Sequence, residues 1–105
     1  MTRINTIKEA LLSLTQNVYH YHAPPNSRPP YIVWAEDGAN DFAANNIHDE
    51  SASQGTIDLY TKQEGDPLMD LIPKALNGIE CAWGKNSTQY EEDTQLIHIE
   101  WVFEV

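Results

Sequence analysis

Large apolar residues recur at every second position, without a break, from Ile97 to Val105 at the end of the chain. Ile97, Ile99, Trp101, Phe103 and Val105 share one parity, while His98, Glu100 and Glu104 share the other. Successive side chains of a strand point to opposite faces, so this period of two predicts a β-strand with one face in the core. Free chain ends fray unless they are tied down, and this one is too apolar to be left in water. We therefore expect it to be the longest and most buried strand of a sheet.

Earlier in the chain the period lengthens to three and four. Ile4, Ile7, Leu11 and Leu14 fall on one stripe of a helix of about three turns, with Lys8, Glu9 and Ser13 turned away. Thr6 and Glu9 have the spacing of a capping box, although Ile4 argues for a start nearer Thr2. A second helix is expected from Asp66 to Gly78, with Asp66 as N-cap, Pro67 in the first turn and Gly78 in the left-handed C-terminal position. Leu68, Leu71, Ile72, Ala75 and Leu76 would form its buried stripe, and Pro73 should kink or shorten it.

Val18–His22 reads as a short strand. Ala23–Pro30 carries four prolines and predicts an extended linker or tight turns. Tyr31–Ala35 is apolar on both faces and suits an interior strand. In Thr56–Thr61, Ile57 and Leu59 point inward while Asp58 and Tyr60 point outward, and Gly55 marks a bulge or a close backbone approach. Its polar lead-in from His48 would extend it as one arm of a hairpin with Tyr31–Glu36. Strands at Ile79–Gly84 and Gln89–Glu92 should follow, with turns at Lys85–Thr88 and Asp93–Gln95. The expected fold is α+β, one domain over 1–105, in the order α-β-β-β-α-β-β-β. Its single sheet would be antiparallel or mixed, with both helices on one face.

Composition adds a strong acidic bias, with 16 Asp and Glu against 6 Lys and Arg and a net charge of -10. Such a field repels phosphate and argues against gripping nucleic acid through its backbone. Nothing approaches the roughly 18 consecutive apolar residues of a membrane helix, and the N-terminal residues lack a secretory-signal pattern. These features predict a soluble intracellular protein. Cys81 is the single cysteine, so an internal disulfide and a thiolate metal cluster are excluded. It is expected to be a buried strand thiol.

Candidate chemistry is sparse. His20 and His22, two apart on a strand, would share a face as a pair of metal ligands does, but no third ligand is placed beside them. Glu91, Glu92 and Asp93 suit a solvated hairpin end better than a general acid/base pair, and the five glycines form no phosphate-binding loop. No catalytic, cofactor-binding or metal site is therefore expected. Between Glu36 and Glu50 the chain carries five carboxylates, no Lys or Arg, and Phe42 as an isolated aromatic. Loops of this length in a small domain are functional or disordered. A mobile acidic loop is expected at about 37–50, with Asp37, Asp41, Phe42, Asp49 and Glu50 as interface candidates. His98, Glu100 and Glu104, on the face of the last strand with no helix to cover it, complete that set.

Several segments, taken in order, resemble phage tail-completion proteins, or tail terminators. They are Val18–Tyr21 with the proline-rich turn, Pro30–Gly38, Gln54–Thr61, Asp66–Leu68 and Tyr90–Val105. The likeness spans nearly the whole chain, and the joint order carries it. It implies an α+β protomer that assembles as a homo-oligomeric ring, a hexamer being expected, at the head-proximal end of the tail. There it would stop polymerisation of the major tail tube protein and present a docking surface to the head–tail connector protein. DNA would pass through its lumen without specific binding, and the site of action would be the virion, after assembly in the host cytoplasm. The family supplies no active-site motif. A small acidic binding module, acting as a monomer or dimer on a basic partner, is the alternative.

Overall fold

The computed structural model describes residues 4–36 and 53–105. Seven elements follow in order: α1 (Ile4–Leu12), β1 (Val18–His20), β2 (Tyr31–Glu36), β3 (Gln54–Thr61), α2 (Leu68–Asn77), β4 (Ala82–Glu91) and β5 (Leu96–Glu104). The five strands form one sheet in the order β1-β2-β3-β5-β4. The fold is α+β. The sheet is mixed, because β1 runs parallel to β2 while every other pairing is antiparallel. Ten residues, 21–30, make the connection that parallel neighbours require. Its Pro29–Pro30 peptide is cis, and Tyr21 and Asn26 take φ of 73° and 68° to turn the chain.

The helical and strand stripes meet in one core. Ile7 and Leu11 of α1 and Leu68, Ile72 and Leu76 of α2 pack with Ile32, Trp34, Ile57, Leu59, Ile99, Trp101, Phe103 and Val105. The registers Ile32–Leu59–Ile99 and Trp34–Ile57–Trp101 put these strand residues on one side of the sheet. Both helices therefore cover that side.

β5 sits between β3 and β4, so both its edges are paired. Val105 is held past the strand end by two backbone bonds, its N–H donating to Ser53 O and its O accepting from Ser53 N–H, each 2.8 Å. It contributes more buried large apolar side chains than any other strand, but at nine residues it is one shorter than β4.

That length difference corrects the expected strand count. Of the residues read as strands at Ile79–Gly84 and Gln89–Glu92 with a Lys85–Thr88 turn between them, Ala82–Glu91 form the single strand β4, while Ile79–Cys81 and Glu92 lie outside it. Lys85 pairs with Trp101 and Ser87 with Glu100, leaving Asn86 as the extra residue of a bulge. A bulge tolerates turn-like polar residues within a continuous ladder, and Asn86 Nδ2 donates to Glu100 Oε1 on β5 at 2.6 Å. The order is α-β-β-β-α-β-β.

Element ends bring further corrections. Thr6 lies inside α1, so Thr6 and Glu9 do not form a capping box. At α2, Pro67 already has helical dihedrals (φ -55°, ψ -27°), and Asp66 Oδ1 accepts from Leu68 N–H at 2.8 Å. Asp66 is thus the cap, as its sequence position predicts. Its Oδ2 accepts from Thr61 Oγ1 at 2.7 Å, which ties the end of β3 to the start of α2. The helix continues through Pro73 to Asn77 rather than stopping there. Gly78 ends it with φ -84° and ψ -4°, not left-handed, its N–H donating to Ala75 O. The buried stripe is narrower than expected, since Leu71 is exposed.

Gly55 lies opposite Phe103, and a Cβ there would stand 2.1 Å from Ala35 O and 2.6 Å from Phe103 Cζ. Close approach, not a bulge, explains this glycine.

Candidate functional site

The side of the sheet away from the helices carries the groups worth weighing for function. Alternation along each strand places Tyr19 on β1, Tyr31 on β2, Asp58 and Tyr60 on β3, His98, Glu100, Val102 and Glu104 on β5 and Glu91 on β4 there. Cross-strand registers then decide which of them touch.

Four rings from four strands form a row. Tyr19 meets Tyr31 edge-on with centroids 6.2 Å apart, Tyr31 stacks on Tyr60 at 5.1 Å, and Tyr60 stacks on His98 at 4.3 Å. The registers Tyr31–Tyr60 and Tyr60–His98 produce the two stacks. Offset-stacked and edge-to-face arrangements at such spacings are the favoured aromatic geometries.

The row ends in a charged cluster. His98 Nε2 lies 2.6 Å from Asp58 Oδ1, and His98 Nδ1 lies 3.5 Å from Glu91 Oε2. Asp58 pairs with Glu100 across β3 and β5. Burial raises the Asp58 carboxyl above its ordinary pKa, against the lowering effect of its bond to His98, and Glu100 raises it further. Tyr60 is pushed up to about 12, first by burial and then by Asp58, Glu91, Tyr31 and Glu100. Tyr31 is raised by burial and by Glu91.

Of the residues singled out from the sequence, His98, Glu100 and Glu104 lie on this face. His98 is the largely buried hub of the cluster; Glu100 accepts from Asn86, and Glu104 Oε2 accepts from Gln54 Nε2 at 3.0 Å. Asp37, Asp41, Phe42, Asp49 and Glu50 lie outside the described residues. Sequence reasoning missed Tyr19, Tyr31, Asp58, Tyr60 and Glu91 as a set. The outward parity of Asp58 and Tyr60 was legible, but their neighbours belong to other strands. Glu91, read as part of a solvated hairpin end, instead faces His98 while its backbone O accepts from Gln95 N–H at 2.8 Å.

Other candidate chemistry disperses. His20 stacks between Tyr21 and Trp34 on the helix side, with centroids 4.2 and 3.9 Å away, and pairs with Glu36. β1 ends at His20 and Tyr21 takes positive φ, so the alternation that would set His22 beside it is broken. Among the described residues no group of three His, Cys, Asp or Glu side chains is placed to hold a metal ion. Cys81 precedes β4 and is half-buried; its Sγ donates to Leu76 O at 3.5 Å, and burial raises its pKa. An open depression of 560 Å³ between the ends of β3, β5 and β4 is lined by Gly55, Trp83, Val102 and Phe103, with Glu104 its one charged group among the described residues. Among those residues, no helix is long and apolar enough to cross a membrane.

Neither a protein-family model nor a curated protein matches the chain.

Proposed function

We propose that this chain is a structural protein of a phage or prophage tail. As a homo-oligomeric ring it would cap the head-proximal end of the tail tube, terminate tube polymerisation and offer the surface that joins tail to head. The observation that carries this reading is the outer face of the sheet, which neither helix covers. It is ordered, aromatic and acidic, and both helices pack on the opposite side. A face so built suits contact between folded surfaces. A closed ring also needs two different complementary patches on each subunit, and the two sheet edges are unlike, three residues in β1 against ten in β4. The ordered resemblance of segments to tail-completion proteins gives the reading its particular content. The acidic bias fits a lumen through which DNA slides without adhering.

The test is reconstitution. Purified protein, alone at high concentration and mixed with a phage major tail tube protein from the same genome, should form rings in electron micrographs and sit at one end of each tube. A monomer or dimer at every concentration that leaves tube length unregulated would overturn the proposal and favour the acidic binding module. Deleting residues 39–45 should leave a folded protomer that no longer caps tubes; tubes of normal length would remove that segment from the interface. Neutralising Asp37, Asp41 and Asp49 should slow DNA passage if they face the lumen, and unchanged ejection would show they do not.

A further inference from the structure

We propose that the free edge of β4 pairs with the β4 edge of a second copy of this chain, antiparallel and about a two-fold axis, so that the two sheets continue into one. β4 is the last strand of the sheet, and among the described residues nothing pairs with its outer edge. The ladder decides which groups point there. Ser53 and Val105 exchange both backbone bonds, and such pairs alternate with pairs that exchange none. Gly55–Phe103, Ile57–Trp101 and Leu59–Ile99 therefore bond β3 to β5, and the even-numbered residues of β5 turn to β4. Their partners Ala82, Gly84, Ser87 and Gln89 bond to β5, whereas Trp83, Lys85, Thr88 and Tyr90 direct N–H and C=O away from it.

The Asn86 bulge makes this edge fit itself. Two antiparallel copies of one strand about a two-fold axis must show the same face at paired positions. In an uninterrupted strand of period two, a centre between two neighbouring residues pairs opposite faces. Asn86 corrects the phase. It donates to Glu100, which also pairs with Ser87, so both lie on the outer side of the sheet. Trp83 and Lys85 before them, and Thr88 and Tyr90 after them, lie on the helix side with their partners on β5. The pattern of faces and of free backbone groups thus reads the same in both directions about 86–87.

Side chains match in that register. Trp83 meets the partner's Tyr90, an aromatic pair, and Tyr90 is 61% exposed in the protomer. Lys85 meets the partner's Thr88, and the small Gly84 and Ala82 meet the partner's Gln89 and the partner's Glu91. No two like charges stand opposite. A bulge ordinarily protects an edge from pairing; here it supplies the symmetry. This inference goes beyond the ring reading and does not rest on it, since the pair uses β4 alone and leaves β1 and the outer face to other contacts.

Sedimentation equilibrium of the purified chain, without tube protein, should show a reversible monomer–dimer equilibrium. Thr88→Pro removes one outward N–H and no bond to β5, and should leave a folded monomer. Thr88→Lys sets a second ammonium against the partner's Lys85 on both sides of the two-fold axis, and should weaken the dimer about tenfold at low salt. Adding Lys85→Glu turns that repulsion into attraction and should restore the dimer. Circular dichroism checks that each variant is folded. A monomer at every concentration, a dimer indifferent to Thr88→Pro, or failure of Lys85→Glu to rescue Thr88→Lys would each overturn the proposal. Rings on tubes without a free dimer would overturn it and leave the tail reading standing; a dimer that never forms rings would do the reverse.

Discussion

At the scale of single residues, two glycines in the same sheet make opposite predictions. Gly55 has no room for a Cβ because Ala35 O and the Phe103 ring occupy the space, whereas Gly84 has nothing within 4 Å of the equivalent point. Gly55→Ala should destabilise the protein by about 1–3 kcal/mol, as overpacking does, and Gly84→Ala should leave it within about 0.5 kcal/mol of the parent. Urea denaturation of the two variants measures both. Tyr60 gives a prediction in pH. Burial and the neighbouring carboxylates push its folded pKa up to about 12, above the ordinary tyrosine value of 10.0. The folded state thus keeps a proton that the unfolded chain releases first. The associated stabilisation is whole below the unfolded pKa and is lost as pH rises through the folded one. Tyr60→Phe should flatten the loss of stability over that alkaline window. Tyrosinate absorbance of the parent should show one ring titrating well after the others; titration of every ring near its ordinary value would contradict the stacked, acid-flanked environment.

At the scale of elements, the junction between β3 and α2 depends on one carboxylate. Asp66 is buried and bonded to both Leu68 N–H and the Thr61 hydroxyl, itself buried. Asp66→Ala should cost about 2–3 kcal/mol, combining a lost helix cap with a buried hydroxyl left without its acceptor. Asp66→Asn, which can still cap, should cost less. Thermal unfolding of the pair separates the two contributions. This junction was only half legible in the sequence. Asp66 followed by Pro67 announces a helix start from local backbone chemistry, but nothing in the spacing of Thr61 says that its hydroxyl turns toward the cap. The same limit explains β4. Lys85–Thr88 has turn composition, and only the pairing with an already ordered β5 turns it into a bulge instead of a reversal.

At the scale of the whole molecule, both helices pack on one side of the sheet and neither covers the other. If rings form, that outer face and the two unlike sheet edges, three residues in β1 against ten in β4, are where a neighbouring subunit, the tube or the head–tail connector would meet the protomer. If the protein stays a monomer or dimer at every concentration, the same face belongs to a binding module.

The sequence by itself determined the two helices and the centre of each buried stripe, Ile7 and Leu11 in one and Leu68, Ile72 and Leu76 in the other, the antiparallel partnership of β2 with β3, and the closing strand with its inward Ile99, Trp101, Phe103 and Val105. Periodicity reports which side of its own element a residue occupies, and that is a local property of the backbone. Tertiary structure alone decided the parallel placement of β1, the insertion of β5 between β3 and β4, and the assembly of the outer face. His98 and Asp58 meet across 40 positions of chain, and Tyr31 meets Tyr60 through register between strands. Alternation could assign His98 to the outer side of the closing strand; only strand order and register could give it Tyr60, Asp58 and Glu91 as neighbours.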